Sequence, residues 1–473
     1  MTEIGTRLPG ASMQGGFGAW LAFTGCLIAV FMQMIDVTIV NTALPNLTAD
    51  LAASPSQQLL VVSGYSLAFA CTLLTAARIG AIFGRRVVFL VSVVAFTAMS
   101  VWCGISTSAT ELVIARIFQG AAGAGMAAQT IAILIASFPP SRHQLMFALY
   151  GATAGFAGML GPIVGGGLVT ADIAGLGWHS VFLMNLPVGI LAFVLGVRYL
   201  RLGKPPQRDG LDLGGVALST VSLFALLAAL ADIQQNGWRP APFGVIAAAL
   251  AVGAVFIGYE RRLGRRGGSP LVRLDLFANR GFALGAGLVA SFFGLFTAFV
   301  FTVSITLQDE LHFSPLRTGV AMTPFALGAG AGAIASLFLV KRWGVKVLAF
   351  GIALYGGLVA VGAVYLHLTN GQVNLALALG PVFFAGLGVG LFGVQLQPLM
   401  LAGLRERQMA EASGQLPTIE QIGNAVGLAL LSVVFFRAHT LGGSIVMFLA
   451  IAICAIAMAV PTLALPDPAK QLR

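Results

Sequence analysis

Three ionisable side chains lie inside long apolar runs of this chain: Asp36, Arg116 and Glu420. An ionisable group at membrane depth costs about 3 kcal/mol on insertion scales, so such a group is usually paired and often functional. The run that holds Asp36 begins near residue 18, which puts Asp36 about 27 Å along it at about 1.5 Å per residue. Arg116 stands about 7 Å into a run that enters from the other side near residue 111. Both fall at similar depth, so they can form an ion pair if their helices adjoin. Two roles stay open for that pair. It could be a fixed link between helices. It could also be a proton site, because burial disfavours a bare carboxylate while a neighbouring guanidinium favours it. Glu420 lies about 14 Å into its own run. Pro417, Gln421 and Asn424 share one polar stripe with it. That stripe could line a substrate cavity or make a satisfied contact between helices.

Other polar residues in apolar runs extend the list of cavity candidates. They are Gln33, Asn41, Ser63, Tyr65, Gln119, Gln129, Gln395 and Gln397. For each, a packing hydrogen bond is the plainer alternative to a ligand contact.

Composition says what must position these groups. The 473 residues are 58% hydrophobic and only 9% charged. A soluble domain averages roughly 25% charged residues. Disorder is excluded by the hydrophobicity, and the 60 glycines follow no collagen triplet. An all-α polytopic membrane protein remains. Fourteen apolar runs exceed about 18 residues without strand-like alternation, which favours helices over a barrel. The start, MTEIGTRLPG, has no basic n-region or small-residue cleavage site, so the first run is expected to be a retained helix. Cys26, Cys71, Cys103 and Cys454 sit in apolar runs with no CxxC pair, and they read as apolar filler rather than a disulfide or metal set.

The basic residues assign the sides. With the N-terminus inside, 22 of the 26 Lys and Arg fall in inside segments and three in outside loops. That bias is the positive-inside pattern and predicts both termini in the cytoplasm. It also accounts for the net charge of +10 without a nucleic-acid partner. A repeat at an offset of 260 points to two related units. Ser54-Pro55 recurs as Ser314-Pro315, and Phe83-Gly84-Arg85-Arg86-Val87 as Trp343-Gly344-Val345-Lys346-Val347. The expected organisation is a six-helix bundle over 1–199, two extra helices over 200–280 and a second six-helix bundle over 281–473. Parallel repeats with a site between them are a transporter architecture.

Gly151 to Gly167 is a run of small residues broken by Pro162. Gly158, Gly161, Gly165 and Gly166 at three- and four-residue spacing predict close helix packing, and Pro162 predicts a bend. No GxxxxGK[ST], HExxH or GxSxG element occurs, so neither ATP drive by this chain nor an enzyme is expected.

These residues together resemble the major facilitator superfamily, specifically its fourteen-helix drug:proton antiporters. Asp36-Val-Thr38-Ile-Val-Asn41-Thr-Ala-Leu44-Pro45 looks like that family's span-1 signature, and Arg116-Ile-Phe-Gln119-Gly120 resembles its span-4 motif. Gly161-Pro162 with Gly165-Gly166 resembles its antiporter motif. Trp178 to Gly189, through Asn185 and Pro187, resembles the start of its span 6. Leu307-Gln308, Ser314-Pro315 and Gly319 resemble its span 9–10 hairpin. The resemblance implies a major-facilitator fold and proton-coupled export of drugs, antibiotics or toxic metabolites from a bacterial plasma membrane by a monomer. Its coupling ion would be the proton, with no other cofactor. Asp36 and Arg116 would carry the coupling, and Gly84, Arg85 and Arg86 would gate.

Two departures stand out. The family loop after span 2 carries a Gly, an Asp and a basic residue before Gly-Arg-Arg, where this chain has Ala77, Ala81 and Ile82. The span-2 positions that often hold Trp and Asp read Leu60 and Ser63. Loss of the second acid favours a neutral, anionic or singly charged amphiphile over a dication. Two alternatives remain: a proton-independent facilitator or importer, and a membrane sensor that does not transport.

Overall fold

The computed structural model describes residues 16–202, 212–268, 270–401, 404, 406–435 and 441–466. They form long helices joined by short turns. In hydrocarbon every backbone N–H and C=O must be satisfied within the segment, which only a helix or a closed barrel achieves. The chain runs α1 (Phe17–Asp50), α2 (Pro55–Phe83), α3 (Arg85–Gly104), α4 (Ala109–Ser137) and α5 (Pro140–Ala171). After a one-turn helix, Ser180–Leu183, come α6 (Asn185–Tyr199), α7 (Leu213–Asn236), α8 (Pro240–Arg265) and α9 (Arg280–Ile305). Then follow α10 (Pro315–Trp343), α11 (Lys346–Leu368), α12 (Leu375–Leu401), α13 (Glu406–Phe435) and α14 (Leu441–Thr462). Among the described residues, 12 segments are long and apolar enough to cross a membrane. α2 and α5, at 29 and 32 residues, fill the two remaining places in the expected series of fourteen.

The repeat seen in the sequence is built into the helix ends. Ser54 caps α2, accepting from the Gln57 N–H at 3.3 Å, and the Gln57 side chain accepts from the Ser54 N–H at 2.9 Å. Ser314 caps α10 in the same way through the Arg317 N–H at 3.2 Å. Each cap satisfies an orphan donor of the first turn, and the following Pro sits where its missing N–H costs nothing. Both helices are 29 residues long, and both stop at a glycine with positive φ: Gly84 at 101° and Gly344 at 58°. The left-handed region is open to glycine and costly to residues with a Cβ.

α1 packs on α5 and α6, and α4 packs on α2 and α3. In the second half of the chain α10 packs on α12, α11 on α14 and α9 on α13. The two sets meet along α2–α13 and α5–α10. α7 and α8 pack on each other at the periphery, with α7 also touching α2 and α13.

One end of the molecule, the basic face, carries the Gly84–Arg86 turn and the arginines that follow α8. The opposite end carries Asp50, Ser54 and Pro315. Charge placement within the spans differs from expectation at one point. α8 continues past the apolar run to Arg265 and buries Glu260, which is 1% exposed. The Glu260 carboxylate accepts the Val272 N–H at 2.9 Å, so the returning chain folds over it.

Candidate functional site

Asp36 is 0% exposed and Arg116 1% exposed, deep among α1, α2, α3, α4 and α6. The Arg116 Nη1 donates to Asp36 Oδ2 at 2.5 Å and to Gln119 Oε1 at 2.7 Å. Its Nε donates to the Val61 carbonyl of α2 at 3.1 Å. The guanidinium lies over the Tyr65 ring at 4.3 Å, a cation–π contact strengthened by the absence of water. Asp36 Oδ1 in turn accepts from Gln119 Nε2 and from Asn185 Nδ2, each at 3.0 Å. Asn185 also reaches Ser100 Oγ at 2.8 Å, and Ser100 donates to the Phe182 carbonyl at 3.0 Å. Burying a charge is tolerable only when it is paired and hydrogen-bonded, and this carboxylate has one cation and two amide donors.

Local sequence explains the geometry. Arg116 and Gln119 are three residues apart and share one face of α4. Gly120 follows, and a Cβ there would strike the Tyr65 carbonyl. The bare backbone lets α4 approach α2 closely enough for Arg116 to reach Val61. Gln33 extends the network by donating to the Tyr65 hydroxyl at 3.4 Å. Gln33 Oε1, Asn41 Oδ1 and Asn185 Oδ1 are buried acceptors with no donor among the described residues.

The other candidates fall in several places. Ser63 donates to the Leu59 carbonyl one turn back in α2, at 2.8 Å. Gln129 ties α4 to α2 through the Ala76 carbonyl at 2.7 Å. Asn41 Nδ2 bonds the Val37 carbonyl at 3.0 Å, and its own carbonyl accepts from Ser304 of α9. Gln395 reaches Ser336 at 3.5 Å between α12 and α10. Gln397 of α12 donates to Glu420 of α13 in a short contact. Asn424 accepts from Thr297 at 2.7 Å and donates to Gln421 at 3.1 Å. The Glu420 group is therefore separate from the Asp36 network, on the other half of the chain. Near the basic face a cavity of about 190 Å³ lies between α2, α4 and Pro417 of α13, with Arg85 and Ala77 in its wall.

The expected gating residues sit at helix ends and crossings. Gly84 joins α2 to α3. Arg85 donates to the Ala132 carbonyl and Arg86 to the Val197 carbonyl, each at 2.8 Å. Val197 lies in the final turn of α6, where carbonyls lack intrahelical partners and a cation is favourable, and Ala132 lies in the turn before the last of α4. In α5, a Cβ at Gly161 would strike Thr38, and one at Gly165 would meet Ile39 Cγ1 at 2.7 Å, so both glycines seat α5 on α1. A Cβ at Gly166 would strike the Pro315 carbonyl, and one at Gly319 the Pro162 carbonyl. This pair presses α5 and α10 together backbone to backbone. Gly158, expected in the same packing, faces open space. The opposite end is further closed by Gln308, which donates to the Thr42 carbonyl at 2.8 Å, and by Thr170, which accepts the Leu316 N–H at 3.1 Å. The side chain of Ala81, the main departure in the span 2–3 loop, lies outside the described residues.

Asn185 and Ser100 join the Asp36 network but were not among the sequence candidates. Their signal was a polar side chain in an apolar run, the same signal that flagged Gln119. Glu260 was missed because the arginines after it made the helix end look like loop.

A bundle of membrane-length helices with a buried charge network, closed at one end by glycine-mediated contacts, defines a polytopic transporter. A sequence model of the Major Facilitator Superfamily matches residues 26–428, and the chain belongs to that superfamily. It is 37% identical over 425 residues to a probable actinorhodin transporter of Streptomyces coelicolor, covering 88% of this chain and 72% of that one. It is 32% identical to a cephamycin export protein of Amycolatopsis lactamdurans (90% and 88% covered). Identity to a tetracenomycin C resistance and export protein of Streptomyces glaucescens is 30% (88% and 75% covered). Among solved structures, a POT family transporter in complex with 5-aminolevulinic acid superposes with a TM-score of 0.70 at 13% identity, covering 95% of this chain and 97% of that one. An auto-inhibited POT family peptide transporter gives a TM-score of 0.68 at 15% identity (94% and 96% covered). At these identities the two structures speak for the fold alone.

Proposed function

We propose that the protein exports small amphipathic compounds, of the antibiotic or toxic-metabolite kind, in exchange for protons across a bacterial plasma membrane. The observation that carries the reading is the Asp36–Arg116–Gln119–Asn185 network: a carboxylate in a dry site, held by partners on separate helices. The curated relatives named as exporters of antibiotics support the substrate class.

In this reading the basic face is cytoplasmic, in line with the positive-inside pattern. The end where Gly166 meets Pro315 and Gly319 meets Pro162 is then the outer side, and substrate enters from the cytoplasm past the Pro417 cavity. A proton arriving on Asp36 from outside neutralises the carboxylate and frees Arg116 and the two amides to take other partners. Those partners belong to different helices, so proton binding becomes a change in helix packing. The proton gradient supplies the drive, about 2.3 kcal/mol per charge per 100 mV of potential. Glu420, Gln397 and Asn424 then serve the substrate from the second half. A single carboxylate there, with Ser63 in place of a span-2 acid, favours neutral, anionic or singly charged amphiphiles.

The test is efflux from an efflux-deficient bacterial host expressing the chain, over a panel of amphipathic antibiotics, with and without an uncoupler. Proton-coupled export predicts accumulation that falls on expression and recovers with the uncoupler. Efflux unaffected by the uncoupler would favour a facilitator, and ligand binding without flux would favour a sensor.

A further inference from the structure

A second cavity, of about 250 Å³, lies within the last six helices at the end away from the basic face. Its origin is local. α10 and α12 cross on bare backbone: a Cβ at Gly328 would strike the Phe383 carbonyl, one at Gly386 the Phe325 carbonyl and one at Gly390 the Ala329 carbonyl. Beyond that crossing the two helices part toward Pro315 and Leu375, and Pro324 and Pro381 lie near where the parting starts. α11 and the end of α9 close the sides, leaving a slot.

The slot has the dimensions and chemistry of a hydrocarbon site. Its α12 wall runs from Leu375 to Ala385, about 15 Å at 1.5 Å per residue. That equals the depth of hydrocarbon in one leaflet, about 15 Å. Among the described residues no charged side chain lines it. Thr306 donates to the Thr302 carbonyl at 2.7 Å, and the Tyr365 hydroxyl accepts the Asn374 N–H at 3.0 Å, which leaves its O–H to donate at the polar end. A ligand with a charged body would find no counter-ion inside. The rim is apolar and open to the surroundings of the bundle, with Leu377 67% and Val361 54% exposed. In a bilayer that rim meets acyl chains directly, and Tyr365 and Asn374 mark the polar end.

We propose that this slot is a binding site for one acyl chain of a bilayer phospholipid, from the leaflet away from the basic face, with the headgroup level with Tyr365 and Asn374. The chain would pack on Met322, one turn from Gly319, where α10 closes on α5. The lipid is thus a ligand of the helix that seals that end.

The test uses the full chain in nanodiscs of phosphatidylcholine carrying a photoreactive diazirine near the end of one acyl chain, with adducts mapped by mass spectrometry. The expected result is adducts concentrated on Met322 and Leu358, deep in the slot, over Leu250 and Val255 on the open face of α8. Gly362→Phe fills the slot from α11, since nothing lies within 4 Å of a Cβ there. It should lower slot adducts about tenfold, the loss of about two buried methylenes. Gly357→Phe, on the same helix and equally unobstructed but outside the slot, should leave them unchanged. Adducts as dense on Val255 as on Met322 would overturn the proposal even if the glycine variants failed to fold. So would adducts that Gly362→Phe leaves intact, or that an exported compound displaces.

Discussion

A carboxylate stands within a span in each half of the chain, Asp36 in α1 and Glu420 in α13, and the two are held very differently. Asp36 has a guanidinium, two side-chain amides and complete exclusion from solvent. Glu420 is half-buried, and among the described residues its hydrogen bond is with a neutral amide, Gln397. A buried ion pair resists the loss of either partner, because the survivor is left as an uncompensated charge. A carboxylate held by one amide can be neutralised with its hydrogen bond kept. The first half therefore has a site whose protonation must reorganise several helices. The second half has a polar point that can adapt to what approaches it.

The contrast can be broken by substitution, and the effects should fall in order. Arg116→Gln strands Asp36 in a dry site and removes the link to Val61. It should lower unfolding free energy by about 3–5 kcal/mol, read from thermal melting in detergent. Adding Asp36→Asn to it should restore much of that loss without restoring transport, and a double-mutant cycle that shows simple additivity would contradict direct pairing. Asn185→Ala removes one donor to a charged acceptor and should cost about 1.5–3 kcal/mol in the same assay. Gly319→Val puts a branched side chain against the Pro162 carbonyl. It should raise thiol-reagent labelling of a cysteine at Thr170 by opening the seal, with a stability cost of about 1–3 kcal/mol. Glu420→Gln should change melting by no more than about 0.5 kcal/mol while altering which compounds are exported. A large loss of stability there would mean that Glu420 is as structural as Asp36.

Much of this was readable in the sequence because membrane physics writes in long, simple patterns. Runs of about twenty apolar residues announce helices, and the Ser-Pro caps at 54 and 314 announced two helix starts that the structure shows as equivalents. Constant rise per residue put Asp36 and Arg116 at similar depth and made their pair possible, and the packing of α1 beside α4 completes it. What depth cannot say is rotation. Gln119 and Asn185 lie 83 and 149 residues from Asp36 in sequence, and only the packing of α1, α4 and α6 turns them toward it. The same limit applies to the glycines of α5: Gly161, Gly165 and Gly166 meet other helices while Gly158 faces open space, although all four belong to one small-residue run. Glu260 was hidden for another reason, because a helix that outlasts its apolar run leaves no hydropathy signal. The acyl-chain slot was also invisible, since it arises from two helices parting beyond a glycine crossing and no motif encodes the gap.

The most direct measurement is substrate-driven proton movement in proteoliposomes, comparing the wild-type chain with Asp36→Asn. With an imposed pH gradient, wild-type vesicles should move substrate and protons in opposite directions. Asp36→Asn should retain substrate binding but lose gradient-driven transport by about a hundredfold or more. Wild-type rates of coupled exchange in Asp36→Asn would contradict proton exchange at this carboxylate and leave the Asp36–Arg116 pair as a structural link.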